Sequence, residues 1–434
     1  MESEATNRQT QFGIDHSNRD EEQTERECGE EQPGGEAIEY KHKSGTCRMD
    51  ELEEDIRSIL EKHQVVGLAA AAIDRNGVVW SGEWGWRNLE KGLPVTEDTV
   101  FRIASVSKTV VAAAFLQQVE RGCCRLEQDI GDILGYPVRN PRYPDKPITA
   151  LHLMTHTSGI QDHYADFVVA TRSESPPRLK LEELLLPAGR YYTDALWGEH
   201  EPGSPHGFTY SNVGAIILAT MVEKLTFQRF DLYCLEQLFD PLGMLKSSFS
   251  LDHFDNLQEI SVLYEYSVKE NRFQPALDDY SNGRPALPDL EGYRPGTNAG
   301  LFSPQGGLRT TMRDLIRFLD AFLFEGAWEG ARILSEESIR RMRQAEWTGW
   351  RNDGFFRNSG LQLHLTDDLL PGIRLYGHAG DAYGLLSDFY YEPEEGWGFC
   401  FAMNGLVQAK TGGVYYAAEE EIARLLYEKI LSPR

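Results

Sequence analysis

The stretch Phe101-Arg-Ile-Ala-Ser105-Val-Ser-Lys108-Thr-Val-Val-Ala-Ala-Ala-Phe115 places a serine and a lysine three residues apart at the start of an apolar helix. Three residues are nearly one helical turn, so the two side chains share a face. A serine hydroxyl becomes a good nucleophile when a neighbouring base takes its proton, and an uncharged lysine can be that base. Burial and the positive end of a helix both favour the neutral amine. Ser105 is therefore the candidate nucleophile and Lys108 its candidate base.

Two alternatives exist for this stretch on its own. A Ser-x-x-Lys spacing also occurs by chance in ordinary amphipathic helices. The second serine, Ser107, lies two positions beyond Ser105 and about 200° around the helical wheel, so it is the weaker nucleophile candidate.

Composition limits the class of protein. The chain has 434 residues, a formal net charge of −25 and 41% hydrophobic residues, enough for two domains or for one large domain with an insertion. The acidic balance argues against nucleic acid or an anionic membrane as a partner, because both attract clustered Lys and Arg. No apolar run reaches the roughly 18 residues of a transmembrane helix, and the N-terminus lacks the apolar core of a signal peptide. We therefore predict a cytoplasmic protein.

Metal and disulfide scaffolds are disfavoured. The six cysteines form no Cys-x-x-Cys pair, so neither a structural zinc site nor a disulfide framework is expected. The segment from His200 to His206 lacks the His-Glu-x-x-His spacing that places two imidazoles on one helical face. We expect no metal.

Residue patterns divide the chain into a tail and a folded part. Residues 1–48 are rich in Glu, Gln, Asn, Gly and Ser and poor in large apolar groups, which predicts a disordered acidic tail. From residue 49 onward, helical spacing predicts a helix over 50–63. Two strands over 65–73 and 78–86 follow, joined by the turn Asp74-Arg-Asn-Gly77.

The C-terminal part, like the N-terminal part, is predicted to contain strands and a helix. We predict strands over 361–365, 373–376, 385–391 and 397–403 and a final helix over 417–431. Between them, residues 129–345 are predicted to be mostly helical, with the best helices at 149–154, 211–225 and 312–324. The sequence thus predicts an α/β (α+β) fold. Its antiparallel sheet is built from residues 49–128 and 346–434 and flanked by helices, with an inserted mostly helical domain at 129–345.

A second motif, Phe208-Thr-Tyr210-Ser-Asn212-Val-Gly214, precedes a predicted helix. A tyrosine there can relay protons, and an asparagine offers a donor and an acceptor to a substrate. Alternatively, Tyr210 is a loop residue beside a helix N-cap formed by Ser211 or Asn212.

A third motif, Tyr376-Gly-His378-Ala-Gly380-Asp381-Ala-Tyr-Gly384, leads into a predicted strand. Small residues on an edge strand let a ligand approach the backbone, and a backbone N–H there can stabilise an oxyanion. A glycine-rich turn that holds a surface histidine is the alternative.

The order and spacing of the three motifs resemble the serine β-lactamase and penicillin-binding-protein superfamily. The likeness is closest to its class C β-lactamase-like branch of esterases, D-aminopeptidases and related hydrolases. That branch is marked by Ser-x-x-Lys, Tyr-x-Asn and either Lys-Thr-Gly or His-x-Gly. Three other stretches also look like this branch: Leu151-His-Leu-Met-Thr-His156-Thr-Ser-Gly159, Pro241-Leu-Gly-Met244 and Ser303-Pro-Gln-Gly-Gly-Leu-Arg-Thr-Thr-Met-Arg-Asp314. The resemblance covers the chain from about residue 50 to its end.

The resemblance implies a serine hydrolase that works through an acyl-enzyme and needs no metal or organic cofactor. It makes Ser105 the acylated nucleophile, and Lys108 and Tyr210 share the acid and base work, in an order the motifs leave open. It also implies that Asn212 contacts the acyl-side amide of the substrate. The implied oxyanion hole consists of the backbone N–H groups of Ser105 and Asp381.

In the third motif, His378 and Gly380 take the places of the family's lysine or histidine and its glycine. Lys410-Thr-Gly412 spells the family's other third motif, but it follows the last predicted strand instead of preceding two paired strands. We therefore expect Lys410 in a loop before the final helix. His156 belongs to a segment that is structural in the family and packs near the floor of the active site.

The third motif is also the guide to substrate. Histidine is only partly charged near neutrality and gives a substrate carboxylate less help than lysine. The resemblance therefore implies a carboxylesterase or a D-amino-acid amidase or peptidase acting on a small-molecule ester, amide or peptide. Two other hypotheses stay open: a β-lactamase or DD-peptidase, and a catalytically silent relative that binds an acyl ligand or a partner protein.

Overall fold

A computed structural model describes residues 46–173, 178–349, 355–409 and 413–432. The described strands form one large sheet and three separate two-stranded pairs. In chain order the strands of these segments are β1 (Gly67–Asp74), β2 (Gly77–Asn88), β3 (Leu93–Pro94), β4 (Phe101–Arg102), β5 (Leu263–Ser267), β6 (Arg272–Leu277), β7 (Arg309–Thr310), β8 (Ala327–Trp328), β9 (Ala331–Arg332), β10 (Trp347–Thr348), β11 (Asn358–Ser359), β12 (His364–Thr366), β13 (Leu375–Ala382), β14 (Leu385–Glu392) and β15 (Trp397–Met403).

Helices flank the sheet. The α-helices of the described segments are α1 (Thr46–Lys62), α2 (Ser107–Glu120), α3 (Ile130–Leu134), α4 (Ala150–Met154), α5 (Ala165–Ser173), α6 (Glu182–Leu185), α7 (Asn212–Thr226), α8 (Phe230–Cys234), α9 (Met312–Leu323), α10 (Glu336–Arg343) and α11 (Ala417–Leu426). Single turns of 3-10 or π helix lie at Ala104–Val106, Asp194–Leu196, Leu235–Phe239, Leu251–His253, Leu257–Glu259, Ala299–Phe302 and Tyr427–Leu431. None of these described helices combines the length and the apolar character needed to cross a membrane.

Nine strands form the large sheet in the order β10-β11-β12-β13-β14-β15-β1-β2-β3, and every neighbouring pair is antiparallel. Among the described residues, the first strand, β1, pairs with the last, β15, in register from Leu68 opposite Met403 to Asp74 opposite Trp397. This pairing joins an N-terminal and a C-terminal segment of the described chain in one sheet. It confirms the predicted α/β fold with an antiparallel sheet built from N- and C-terminal segments.

Both faces of the sheet are covered, and β1 shows how. Its side chains alternate between the two apolar clusters because successive residues of a strand point to opposite faces. One cluster contains Leu68, Ala70 and Ala72 together with Leu52 and Ile56 of α1 and Ile422 and Leu426 of α11. The other contains Ala69, Ala71 and Ile73 together with Phe115 of α2, Ile216 of α7 and Leu319 of α9. Burial on both sides explains why β1 is an almost continuous apolar run.

Helix α2 lies inside the second cluster. From Ser107 to Gln118 each of its residues is buried, so it is a central helix and not an amphipathic surface helix. Its N-terminus follows the 3-10 turn Ala104–Val106, which carries Ser105. The buried helix therefore holds the Ser-x-x-Lys motif in a fixed position at the edge of the core.

Several element boundaries differ from those we predicted. Helix α1 begins at Thr46, so residues 46–48 of the predicted tail belong to a helix; residues 1–45 lie outside the described residues. Strand β13 continues through the glycines to Ala382, because β14 pairs with it from Tyr376 to Ala382. The stretch between 129 and 345 also contains a hairpin formed by β5 and β6.

Candidate active site

The turn that carries Ser105 is packed tightly against the sheet. Ala104 has a positive φ of 42°, unusual for a residue with a side chain. The Ser387 hydroxyl of β14 donates to the Ile103 carbonyl at 2.9 Å. A Cβ added to Gly380 of β13 would lie 2.6 Å from the same carbonyl oxygen. Gly380 is therefore needed because β13 passes too close to the turn for any side chain at this position.

Lys108 lies below Ser105 and is fully buried. Its Nζ is 3.0 Å from Ser105 Oγ and donates to the Gln305 carbonyl at 2.6 Å. Burial lowers the pKa of Lys108 to about 7, and the Asp162 carboxylate opposes this shift to a smaller extent. A large fraction of the amine is thus neutral near pH 7. A neutral amine that donates one hydrogen to Gln305 keeps its lone pair available for the Ser105 hydroxyl proton.

The Gln305 carbonyl is a site component that the motifs did not single out. It belongs to the Ser303–Asp314 stretch, whose family likeness was the only signal for it. The same stretch binds the nucleophile helix a second time, since Leu308 N–H donates to Ser107 Oγ at 3.1 Å. Ser107 is fully buried. The Ser107 hydroxyl holds the Ser303–Asp314 stretch in place by this hydrogen bond. This structural role agrees with Ser107 being the weaker nucleophile candidate.

Tyr210 lies beside Lys108, whose Nζ is 4.9 Å from the centre of the tyrosine ring. The ring also packs against the rings of His156 and Phe356, with centroids 4.6 and 5.4 Å away. His156 holds the backbone on both sides of Tyr210: its Nδ1 accepts from Ser211 N–H at 3.2 Å and its carbonyl accepts from Thr209 N–H at 2.7 Å. His156 is therefore a positioning residue for Tyr210, a role consistent with the structural segment expected there.

Asn212 is the first residue of α7 and binds Asp162. Its Nδ2 donates to an Asp162 carboxylate oxygen at 2.7 Å, and its backbone N–H donates to the other at 2.8 Å. Val213 N–H also donates to Asp162, at 3.2 Å. Asp162 thus caps this helix, a contact that the motif gave no sign of. Asn212 is absent from the described lining of the cavity next to Ser105, so its substrate contact remains a prediction.

His378 is buried in the wall of the site. Its Nδ1 lies 2.6 Å from the Ala379 carbonyl, which can only accept, so Nδ1 carries the proton and Nε2 presents a lone pair. Among the described residues Nε2 has no hydrogen-bond partner. Burial first, and the neighbouring Lys108 second, lower the pKa of His378 to about 3. The imidazole is therefore neutral at physiological pH.

Beyond Gly377, the described residues of β13 pair on one side only, with β14. The other side of residues 378–382 is an open strand edge beside Ser105. The Asp381 carboxylate accepts from Tyr416 hydroxyl at 3.1 Å. Backbone N–H groups at such an edge can bind a substrate carbonyl.

A cavity of about 320 Å³ joins these groups. Its described lining consists of Ser105, Tyr210, Phe355, Phe356, His378, Ala379, Asp381, Val414, Tyr416 and Glu419. The three motifs, distant in sequence, therefore meet at one cavity, with Lys108 behind Ser105. Lys410-Thr-Gly412 lies outside the described residues. In the part of the chain that the structure describes, no group of three or more His, Cys, Asp or Glu side chains is placed to hold a metal ion.

Comparison of the sequence with known proteins points to one family. A family model described as Beta-lactamase matches residues 52–423. Penicillin-binding protein 4 of Amycolatopsis lactamdurans is 27% identical over 365 residues, covering 81% of this chain and 84% of that protein. Esterase EstB of Burkholderia gladioli is 36% identical over 104 residues, covering 23% of this chain and 26% of the esterase.

Solved structures share the fold. D-amino acid amidase from Ochrobactrum anthropi SV3, complexed with L-phenylalanine, superimposes with a TM-score of 0.64 at 20% identity, covering 88% of this chain and 98% of the amidase. The octameric penicillin-binding protein homologue from Pyrococcus abyssi gives a TM-score of 0.64 at 23% identity, covering 88% of this chain and 77% of that one.

Proposed function

Because the chain belongs to the Beta-lactamase family, and so to the serine hydrolase superfamily of that fold, we propose that it cleaves ester or amide bonds through an acyl-enzyme formed on Ser105. The single observation that carries this proposal is the pairing of Ser105 with Lys108. The lysine Nζ lies 3.0 Å from the serine Oγ, and burial lowers its pKa to about 7. A lysine on the protein surface would be protonated and could not accept the serine proton.

Acylation follows from this arrangement. The substrate carbonyl lies between Ser105 Oγ and the open edge of β13, and its oxygen accepts from the backbone N–H groups of Ser105 and Asp381. Neutral Lys108 takes the hydroxyl proton as Oγ bonds to the carbonyl carbon. The tetrahedral intermediate collapses when the bond to the leaving group breaks. The leaving oxygen or nitrogen then takes a proton from Tyr210 or Lys108.

Deacylation runs the same steps with water. A water molecule takes the place of the leaving group, and the Lys108–Tyr210 pair removes its proton as it attacks the ester carbonyl. The Ser105 oxygen recovers a proton when the carboxylic acid product leaves. No other group is needed for the balance of protons, because the pair ends each cycle in its starting state.

The wall of the cavity favours esters and amides over penicillins. His378 occupies the place where many relatives have a lysine, and its pKa of about 3 keeps it neutral at physiological pH. A neutral imidazole gives a substrate carboxylate no ion pair, although its Nε2 can accept a hydrogen bond from an amide or ammonium group. We therefore favour carboxylesterase or D-amino-acid amidase or peptidase activity over β-lactamase or DD-peptidase activity.

Labelling with a fluorophosphonate probe followed by mass analysis tests the nucleophile. We expect one probe per chain on Ser105 and no labelling of Ser105→Ala. Ser107→Ala is the matched control and should still be labelled, since Ser107 is buried behind the site. An unlabelled wild-type protein would favour the catalytically silent relative, and equal labelling of Ser105→Ala would contradict the assignment.

A substrate panel tests the reaction. Short p-nitrophenyl esters and D-amino-acid amides should be hydrolysed faster than nitrocefin, because the neutral His378 offers a β-lactam carboxylate no charge. Efficient nitrocefin turnover without ester or amide activity would reject this choice and favour the β-lactamase alternative.

Lys108 and Lys410 both lie in sequences that match family motifs, and the loss of activity on substitution distinguishes them. Lys108→Ala should lose far more hydrolytic activity than Lys410→Ala, since we place the general base at Lys108. The reverse ranking would show that the motifs are assigned wrongly.

A further inference from the structure

A second cavity, of about 420 Å³, lies next to the active site and has arginines in its wall. We call it the arginine cavity. Arg102 and Arg309 line it, together with Asp278 and Tyr280. Both guanidiniums also donate to the chain segment that follows Gln305: Arg102 Nη1 to the Gly306 carbonyl at 3.2 Å and Arg309 Nη1 to the Gly307 carbonyl at 3.5 Å. The segment that accepts from Lys108 on one side therefore forms the wall of the arginine cavity on its other side.

The buried charges in this wall do not cancel. Arg102, Arg309 and Asp278 are each less than a tenth exposed. The two guanidiniums hold the pKa of the Asp278 carboxyl well below its usual range, so the aspartate is ionised. Two positive charges thus face one negative charge. A buried net charge is costly unless an ion of opposite sign pairs with it.

Hydrogen bonding shows the same imbalance. The Asp278 carboxylate accepts five bonds, two from each guanidinium and one from the Tyr280 hydroxyl, so about four lone-pair positions are already filled. The two guanidiniums present about ten N–H donors. Arg102 makes three hydrogen bonds and Arg309 four to the described residues, so about three N–H groups of the pair have no partner among these residues.

The rest of the cavity is largely apolar. Its apolar lining includes Phe249, Leu251, Leu277, Leu287, Leu290 and Phe302. Three charged side chains on the rim are exposed: Arg172, which donates to Ser303 Oγ at 2.7 Å, and the carboxylates Asp252 and Asp279. Water and salt screen these rim charges, whereas the buried arginine pair is screened much less.

From these observations we propose that the arginine cavity binds a small amphiphilic carboxylate, with the carboxylate on Arg102 and Arg309 and the hydrocarbon part against the apolar lining. The single net positive charge matches a monoanion better than a phosphate dianion. A volume of about 420 Å³ accommodates a chain of medium length. This proposal is independent of the hydrolase activity, because it uses no group of the active-site cavity.

Isothermal titration calorimetry of the full chain tests the proposal, with sodium octanoate, octanamide and inorganic phosphate as probes. We expect octanoate to bind more tightly than either other probe. Arg309→Gln should lower the affinity for octanoate at least about tenfold, because it removes the net positive charge and a charge-assisted hydrogen-bond donor. Asp278 keeps Arg102 as its partner in this variant. Arg272→Gln, at an exposed arginine of β6, is the matched control and should leave the affinity unchanged.

Leu287→Trp provides a second variant that keeps every charge. Leu287 is a half-exposed loop residue, and the larger side chain fills part of the cavity. We expect Leu287→Trp to weaken octanoate binding as well. If circular dichroism shows that Arg309→Gln does not fold, the affinity of Leu287→Trp for octanoate tests the proposal instead. Octanoate that fails to bind the wild-type protein, or that binds both folded variants as tightly as it binds the wild type, would overturn the proposal. Wild-type affinity in both variants would place octanoate elsewhere, for example in the active-site cavity. Tighter binding of phosphate than of octanoate would refute the carboxylate class.

Discussion

Replacing Lys108 with methionine is expected to abolish hydrolysis and yet to stabilise the fold. Methionine has a similar length and no charge, so it fills the space of the lysine without an amine to desolvate. The folded protein holds the pKa of Lys108 at about 7, compared with 10.5 for an unperturbed lysine. At pH 7, where about half of the Lys108 amines are deprotonated, this difference destabilises the wild-type fold by about 4 kcal/mol.

Two contributions partly offset each other. Methionine removes the cost of about 4 kcal/mol but leaves the Gln305 carbonyl without its donor, which costs about 1–3 kcal/mol. The net gain in the free energy of unfolding at pH 7 is then about 1–3 kcal/mol. The sign of the pH dependence is fixed, because the unfolded chain binds more protons than the folded one between pH 7 and the usual lysine pKa. Wild-type stability therefore rises with pH through that window.

The pH dependence separates this effect from ordinary repacking. At pH 9 the cost of the neutral amine falls to about 2 kcal/mol, so the advantage of Lys108→Met should be about 2 kcal/mol smaller than at pH 7. Urea unfolding followed by tryptophan fluorescence at the two pH values measures both differences. Lys269→Met, at an exposed lysine in the turn between β5 and β6, is the control and should show almost no change. The reasoning would be refuted if Lys108→Met were less stable than the wild type. It would also be refuted if the difference in the free energy of unfolding between the variant and the wild type were the same at both pH values.

Three other outcomes follow from the site. The value of kcat/KM should rise about tenfold per pH unit up to about pH 7 and then level off, since only neutral Lys108 takes the serine proton; a flat profile would contradict this. Gly380→Ala should lower kcat at least about tenfold, because its Cβ would lie 2.6 Å from the Ile103 carbonyl oxygen and displace the turn of Ser105; an unchanged kcat would show that the turn tolerates the displacement. Ser107→Ala should destabilise the fold by about 1–3 kcal/mol in urea unfolding, since Leu308 N–H loses its acceptor; unchanged stability would argue against this anchoring role.

The elements with a strong local pattern could be predicted from the sequence. The bounds predicted for the last strand, 397–403, are those of β15, an apolar run that begins just after Gly396. Helix α7, at Asn212–Thr226, lies within one residue of its predicted bounds, because a capping serine precedes a long apolar segment. Such patterns depend on neighbouring residues alone, and this is why they are visible without the fold.

Other features depend on contacts between distant residues and leave little local signal. The extension of β13 through Gly377 and Gly380 comes from pairing with β14, whereas glycine has a low strand preference. The bond from Lys108 to Gln305 ends on a backbone carbonyl, which every residue type possesses. Asp162 caps α7 from about fifty residues away, and the motif of Asn212 indicates a substrate contact or a helix N-cap but no bond to Asp162.

The neutral lysine beside the serine can be measured directly. In protein labelled with [6-13C]lysine, one resonance should titrate near pH 7 in the folded enzyme and should be missing from the spectrum of Lys108→Met. The account predicts this single shifted lysine. If the resonance assigned to Lys108 titrates near the ordinary lysine value instead, Lys108 is a cation at neutral pH and cannot activate Ser105.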